Sequence, residues 1–460
     1  MYALFLGPSG FGVVNQLFNF VNLVSNTINL GLPLGLSTRL PPLVQENTEE
    51  SKSKIRAYIE YFIKISLVIS FPVTLLLIIF SDSISYLIIG SYDYKTFFII
   101  IMLCIPFLVL YSLVESLIRG MSEIKILVNI TVISAIVSTA ILIPIIYYFN
   151  FEGVAYYLLV FSLIPLSTFI IKYRGTFGRY FNSVKTTLSS SEKSIIYKIG
   201  FVALLSSMMQ QGSMIVLRRL IIGNLGFEDN GIYQSVLSLS LNAFTLIYIF
   251  LTNYTLPKLS SLKNKNEIVS ELNNNYRFLL LILIPIVILI FTYKDFIIVL
   301  LYSKSFSDAT GLLKFQLIGD IFKASAALFG LWLIPQMKIK QLILIDLIFN
   351  FTFLLTPFIA LEILNYDLDS IPICYLLSFT VHFLLYFFYS RKEIKFKFDN
   401  KVFKNVIFSS IIIFMTFLMS IYFYHYSLFS NIIILFIWSY MVIEKSEKLK
   451  IYSYLKKLRK

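Results

Sequence analysis

Stretches of about twenty apolar residues follow one another along this chain with only short polar breaks, and a bilayer core about 30 Å thick needs that length of helix to cross it. Examples are ISLVISFPVTLLLIIF at 65–80 and VISAIVSTAILIPIIYYF at 132–149. Apolar residues make up 58% of the 460 and charged residues only 14%, far from the balance of a soluble domain. A transmembrane barrel would show alternating segments of about ten residues instead of continuous runs. The expected class is all-α, a polytopic membrane helical bundle. Spans are predicted at 11–40, 56–80, 96–118, 126–149, 154–173, 195–222, 231–256, 276–292, 312–334, 342–363, 371–390, 402–424 and 428–443.

Charge then sets the orientation. Of the 39 basic residues, 31 fall in one alternate set of loops and ends: RLPPLVQENTEESKSKIR, RGMSEIK, 172–198, 258–277, MKIK, RKEIKFKFDNKVFK and the tail after Glu444. The other set carries Lys95, Lys294, Lys304 and Lys314. Basic loops stay on the cytoplasmic side, so the first set and the C-terminus are expected there. The net charge of +14 is mostly this topological signal, and its partner is anionic membrane lipid, not nucleic acid. Cys104 and Cys374 lie in predicted helices far apart in sequence, which supports neither a disulfide nor a metal site. There are two histidines, His382 and His425, and no HExxH, GxGxxG or phosphate-loop motif. Neither a cofactor nor enzymatic chemistry is expected.

One motif occurs twice. LGPSGFG at 6–12 and LGFEDNG at 225–231 stand at an offset of 219, each followed by a long span with polar residues, then by Leu-Pro and a charged loop. SYLIIGSY near Ser85 and RGMSEIK find weaker counterparts in VLLYSKSF near Val299 and PQMKIK near Pro335. The chain therefore divides into an N-terminal lobe at 1–173, a cytoplasmic linker at 174–198, a C-terminal lobe at 199–390 and an extra helix pair with a basic tail at 391–460. An even number of helices per half makes this a parallel repeat. In the second half a whole helix runs into the LG turn, whereas only MYALF precedes it in the first. The first helix is thus expected to be largely missing here, through a misassigned start or a truncation.

The LGPSGFG turn, the glycine-punctuated NLGLPLGLSTRL and the mid-chain LRRLIIGNLGFEDNGIYQSV resemble the polysaccharide flippases (O-antigen, Wzx-type) of the multidrug, oligosaccharidyl-lipid and polysaccharide exporter superfamily. The resemblance covers essentially the whole chain. It implies two six-helix lobes around a central cavity, alternating access, and translocation of undecaprenyl-pyrophosphate-linked oligosaccharide across the bacterial inner membrane for O-antigen, lipopolysaccharide or capsule. It also implies a coupling ion, H+ or Na+, and other polysaccharide-assembly membrane proteins as partners. One departure stands out: Arg218 precedes Arg219 where such proteins often carry Asp.

Candidate residues come from the polar positions inside spans. Asn15, Asn19, Asn22, Asn26 and Asn29 recur at helical spacing on one face, and carboxamides both donate to and accept from sugar hydroxyls. Ser235, Ser238, Asn242, Thr245 and Thr252 repeat the stripe in the second half, and Ser207, Gln211, Met214 and Arg218 share a face of the helix before it. A guanidinium grips two phosphate oxygens at once, which makes Arg218 and Arg219 candidates for the diphosphate, with Arg39 at the cytoplasmic mouth. Asp320, Lys323 and Asp346 are the coupling candidates, Asp320 and Lys323 being close enough to neutralise each other. Glu60 with Lys64, and Glu115 with Arg119, are expected as structural pairs at i, i+4 spacing. Gly31, Pro33 and Gly35 interrupt the striped span and mark a hinge.

Three other functions fit the sequence less well than the flippase. A polysaccharide polymerase or ligase would need a large outer loop, and the longest outer connections, 81–95 and 294–311, are short. A multidrug or cation antiporter of the same superfamily favours a carboxylate-lined site, against the arginine pair and basic rim seen here. A receptor or scaffold has no use for duplicated polar faces.

Overall fold

The computed structural model describes residues 2–92, 94–121, 123–181, 184–262, 264–422 and 427–442. His425, Lys263, the side chains of Arg179, Lys198 and Ser207, and the basic tail from residue 443 lie outside the described residues. Among those described, all regular structure is helical. The helices are α1 (Tyr2–Ile28), α2 (Leu32–Glu46), α3 (Glu49–Ile79), α4 (Ser81–Ile89), α5 (Lys95–Met102), α6 (Ile105–Gly120), α7 (Ile124–Phe181), α8 (Ser190–Asn224) and α9 (Phe227–Phe250). They continue with α10 (Leu256–Ser261), α11 (Lys265–Thr292), α12 (Lys294–Leu301), α13 (Ala309–Leu331), α14 (Ile339–Phe358), α15 (Ser370–Glu393), α16 (Asn400–Tyr422) and α17 (Ser427–Val442). Nine helical segments among the described residues are long and apolar enough to cross a membrane, and the chain is a multi-pass membrane protein. The polar α1, α8 and α13 are not among the nine.

Helix ends follow local chemistry. Thr48 and Ser51 form a reciprocal capping box at the start of α3, with Glu49 and Glu50 in the first turn where the helix dipole favours negative charge. Ser189 and Glu192 do the same for α8. The span predicted as one helix at 11–40 is two, because Leu30 (φ 48°) and Gly31 (φ 68°) both adopt left-handed backbone and Pro33 then starts α2. Gly7 also has positive φ (64°) and is followed by Pro8, so LGPSGFG is a break within α1.

At 58 residues α7 is far too long for one crossing. It is a hairpin of two arms, 124–149 and 152–175. Phe149 and Tyr156 meet edge to face at 5.4 Å across the bend, and a Cβ on Gly153 would lie 2.6 Å from the Ile145 carbonyl oxygen. Only glycine lets the returning arm start so close to backbone.

The chain forms two compact units, Met1–Gly231 and Ile232–Lys460. In the first, Val13 and Leu17 of α1 pack with Phe98 and Ile101 of α5 and Ile105 and Val109 of α6. A second cluster gathers Leu36, Leu40, Ile55, Phe62, Leu117 and Ile118 from α2, α3 and α6. In the second unit the fully buried Phe329 of α13 meets the rings of Phe383, Phe387, Phe396 and Phe398. Trp332 beside it donates its indole N–H to Ser390 Oγ at 2.8 Å. Such contacts matter here because lipid is as apolar as leucine, leaving packing and hydrogen bonds to hold helices together.

Gly153→Ala should therefore cost about 1–3 kcal/mol through overpacking against backbone. A lower thermal unfolding midpoint in detergent is expected for it, but not for Gly175→Ala, whose added methyl meets nothing within 4 Å.

Candidate functional site

Within the first unit, α1 is divided by its own side chains. Val13, Val14, Gln16, Leu17 and Val21 are buried, while Asn15, Asn19 and Asn22 are half-buried and Asn26 is exposed. Asn15 returns its Nδ2 to the Phe11 carbonyl (2.8 Å), and the enclosed Nδ2 of Asn19 has no hydrogen-bond partner. Asn29, the fifth of the row, turns inward instead and donates to Ser112 Oγ of α6 at 2.8 Å. Four carboxamides thus stand along the open side of α1 and the fifth ties two helices together. Hydrocarbon is a poor environment for such a row, because each unmade amide hydrogen bond there costs several kcal/mol.

The helix is anchored by a residue outside the stripe. Gln16 is fully buried, and its Nε2 donates to the carbonyls of Ile88 in α4 (3.1 Å) and Ile215 in α8 (3.2 Å). Nearby, Arg219 lays its guanidinium over the backbone of Gly90 (φ 91°) and points Nη1 at the Ile89 carbonyl, 3.5 Å away. A Cβ at position 90 would collide with it. A cation over the last carbonyls of α4 also meets the negative end of that helix's dipole. Arg218 is buried, Gln211 is half-buried on the same helix, and Arg39 is half-buried on α2. Gly31 lies in the break itself, and Gly35 donates its N–H to the Gly31 carbonyl at 3.3 Å, with Pro33 between them.

The two copies of the repeated turn press on one another. A Cβ on Gly12 would sit 2.9 Å from the Phe227 carbonyl oxygen, the Gly231 nitrogen and Asn230 Nδ2. One on Gly231 would collide with the carbonyl of Pro8. Gly12 matches Gly231 in the repeat and Pro8 matches Phe227, so the contact is reciprocal: each motif's last glycine meets the other's third residue. Periodicity revealed two copies, but not that they touch.

In the second unit α9 carries Ser235 buried, Ser238 half-buried and accepting from Gln234 Nε2 (2.8 Å), and Asn242 and Thr245 exposed, with the exposed Thr252 just beyond its end. Asp320 of α13 is buried and receives Ser240 Oγ at 2.6 Å and the Tyr375 hydroxyl at 2.8 Å. Lys323 does not pair with it directly. Its Nζ stands over the rings of Tyr248, Tyr375 and Phe379 at 5.9, 5.9 and 5.4 Å, where the negative faces of the aromatic rings stabilise a cation. Asp346 of α14 accepts from the Tyr386 hydroxyl at 2.8 Å, and Nε2 of His382 lies 3.2 Å from the same oxygen. Phe349 stacks on the imidazole at 4.2 Å. Glu115 pairs with Arg119, whereas Glu60 binds Arg56 at 2.7 Å instead of Lys64.

Sequence reasoning missed Gln16, Ser240, Tyr375 and His382. The last had a signal in plain view: one of two histidines in the chain, with Tyr386 one turn beyond it, inside a predicted span. Among the described residues no three His, Cys, Asp or Glu side chains gather as for a metal ion. Gln16→Leu, which removes both carbonyl contacts but keeps the volume, should cost about 1–3 kcal/mol, read as a lower unfolding midpoint in detergent.

Comparisons with known proteins agree with this architecture. Part of the chain is 28% identical over 193 residues to the lipid III flippases of Escherichia coli (strain K12) and Shigella flexneri, covering 42% of this chain and 45% of each relative. The match thus spans a little under half the length of those relatives. Among solved structures, an inward-facing multidrug resistance MATE family transporter of the MOP superfamily aligns with a TM-score of 0.73 at 15% identity, over 86% of this chain and 92% of its own. The outward-facing form gives 0.65 at 13% identity, covering 86% and 90%. A MOP superfamily transporter from Pyrococcus furiosus gives 0.65 at 14%, with the same coverage. These place the fold with the MOP superfamily transporters. A model of the polysaccharide biosynthesis protein family matches residues 2–311, about two thirds of the chain, and this protein belongs to that family.

Proposed function

We propose that this protein is a flippase that carries a lipid-linked oligosaccharide, on an undecaprenyl-pyrophosphate-type carrier, across the cytoplasmic membrane by alternating access. The observation that carries this reading is the row Asn15, Asn19, Asn22 and Asn26 along the open side of α1. A wet, amide-lined surface suits a sugar chain, which asks for many neutral donors and acceptors. The polar positions of α9, Ser238 and Asn242, extend the same chemistry to the second half of the repeat. Arg218, with Arg219 and Arg39, is assigned to the diphosphate. The basic loops and C-terminus face the cytoplasm, where the substrate is made. Movement of α2 about Leu30 and Gly31 is the assigned hinge. The family membership and the lipid III flippase relatives support the transport reading over an enzymatic one.

Coupling to H+ or Na+ is assigned to the acids of the second unit. Asp346, partly exposed beside His382, is better placed to exchange an ion with water than Asp320, which is buried under two hydroxyl donors with Lys323 one turn away.

Two experiments test the assignment. Asn22→Leu with Asn26→Leu separates a substrate path from a lipid-facing surface, since leucine is welcome in lipid. Normal membrane insertion with loss of complementation in a flippase-null strain is expected; full complementation would remove this face from the transport path. Arg218→Ala should likewise abolish complementation with the protein still in the membrane, and retained activity would take Arg218 out of the diphosphate site.

A further inference from the structure

Between α14 and α15 of the second unit runs a seam of polar side chains. Asp346 lies seven residues inside the start of α14 at Ile339, and Tyr386 seven residues before the end of α15 at Glu393. Each is therefore about 10 Å along its helix from the ends that Lys338 and Glu393 join in an ion pair at 2.9 Å. Oδ1 of Asp346 accepts from the Tyr386 hydroxyl at 2.8 Å and lies 3.2 Å from Nε2 of His382. Further along the same two helices, Thr356 and Ser378 meet at 3.3 Å. The side chains of His382 and Asp346 are 13% and 24% exposed, so neither is sealed off.

The donors set the tautomer. An ionised carboxylate only accepts, so beside ionised Asp346 it is Nε2 of His382 that carries the proton and donates it, leaving Nδ1 a bare acceptor. Nδ1 is buried and has no hydrogen-bond partner among the described residues. Imidazole gains and loses a proton near neutrality, and the next proton goes to that nitrogen. The carboxylate stays ionised, and the pair passes from a net charge of −1 to 0. Aromatic rings surround the imidazolium so formed: Phe349 stacks on it at 4.2 Å, with Tyr386 and Phe379 at 4.9 and 6.2 Å, and their negative faces favour a cation. From α13, Asp320 is held by Ser240 and Tyr375, and Lys323 stands over Phe379 at 5.4 Å; the imidazole shares the Phe379 ring with that lysine but bonds to neither charge. Lys340 and Glu362 lie six and sixteen residues from Asp346 in sequence, toward opposite ends of its helix. Hard cations ask for several oxygen ligands at once, whereas one carboxylate here shares its place with a phenol, an imidazole nitrogen and phenyl rings.

We propose that the Asp346–His382 pair is a proton site, not a sodium site, and that His382 is the residue whose protonation drives the coupling step. The coupling role rests on the transport reading above, but the chemistry does not: the pair takes a proton whether or not a substrate follows. Protonation makes an Nδ1–H donor for which this arrangement offers no acceptor, and a buried donor left unmade is costly. The charged imidazole therefore favours a different packing of α15 on α14, and proton uptake becomes movement.

The full chain with His425→Gln, which leaves His382 as its one imidazole, tests the site when it carries isotope-labelled histidine and is titrated in lipid bilayers by solid-state NMR from about pH 8 to about pH 5. At the upper end the ring should hold its proton on Nε2 alone; toward the lower end Nδ1 should become protonated too. Asp346→Asn, which removes the facing negative charge, should lower the midpoint by about one pH unit or more. A ring fixed in one form throughout, or a midpoint that Asp346→Asn leaves in place, would overturn the proton site. So would protons released when sodium chloride is added to the weakly buffered wild-type chain but not to Asp346→Asn, which would hand the pair to sodium. The role is read separately. His382→Gln keeps a donor toward Asp346 but cannot titrate; it is expected to insert normally and to lose complementation of a flippase-null strain, and full complementation would remove His382 from the coupling step. A wild-type chain that fails to complement would take the coupling role down with the transport reading, while the titration still decides whether the pair binds a proton.

Discussion

Amide groups in hydrocarbon must find partners or water, and that single requirement governs how this membrane protein is arranged. Where a carboxamide can be satisfied internally, it is spent on holding helices together: Gln16 binds α4 and α8 through their carbonyls, and Asn29 binds α6 through Ser112. The row from Asn15 to Asn26 lies on a less buried side of α1, with Asn15, Asn19 and Asn22 half-buried and Asn26 exposed. The same helix therefore turns a half-buried and a fully buried amide to different sides within one residue of register, Asn15 against Gln16.

Glycine supplies the second theme, because close backbone approach replaces the hydrophobic drive that lipid removes. The α7 hairpin turns at Gly153 against the Ile145 carbonyl, and Gly319 of α13 meets the ring of Tyr375. Gly90 makes room for the Arg219 guanidinium, and Gly12 and Gly231 bring the repeated turns onto each other's backbone. A methyl added at any of them would force a neighbour to shift, and at Gly153, Gly12 and Gly231 that neighbour is backbone. The repeated motif is then a matched pair of surfaces.

Three ionisable residues inside the spans of the second unit are given partners of different kinds. Asp320 is enclosed by hydroxyl donors, Lys323 by aromatic faces, and Asp346 by a tyrosine and an imidazole. Such groups are rarely kept within spans without a use. The graded exposure, from the buried Asp320 to the partly open Asp346, separates a structural carboxyl from one that can respond to its surroundings.

Much of this was legible in one dimension, for physical reasons. Bilayer thickness imposes a length on apolar runs, so the spans could be read almost directly; nine of the thirteen stand as clearly apolar crossing helices among the described residues. Helical periodicity put Asn15, Asn19, Asn22 and Asn26 on one face, and the LG turn could be read twice in the sequence. What spacing could not convey was which partner each group takes. It paired Glu60 with Lys64 and Asp320 with Lys323 because i, i+3 and i, i+4 neighbours are the only contacts a lone helix offers. Packing brought Arg56, Ser240, Tyr375 and aromatic rings to those groups instead. It turned Asn29 inward, broke the striped span at Leu30 and Gly31, and set His382 beside Asp346 from the neighbouring helix. Local chemistry and membrane thickness thus determined the segments, while side-chain pairing belongs to several helices at once and was decided only when those helices met.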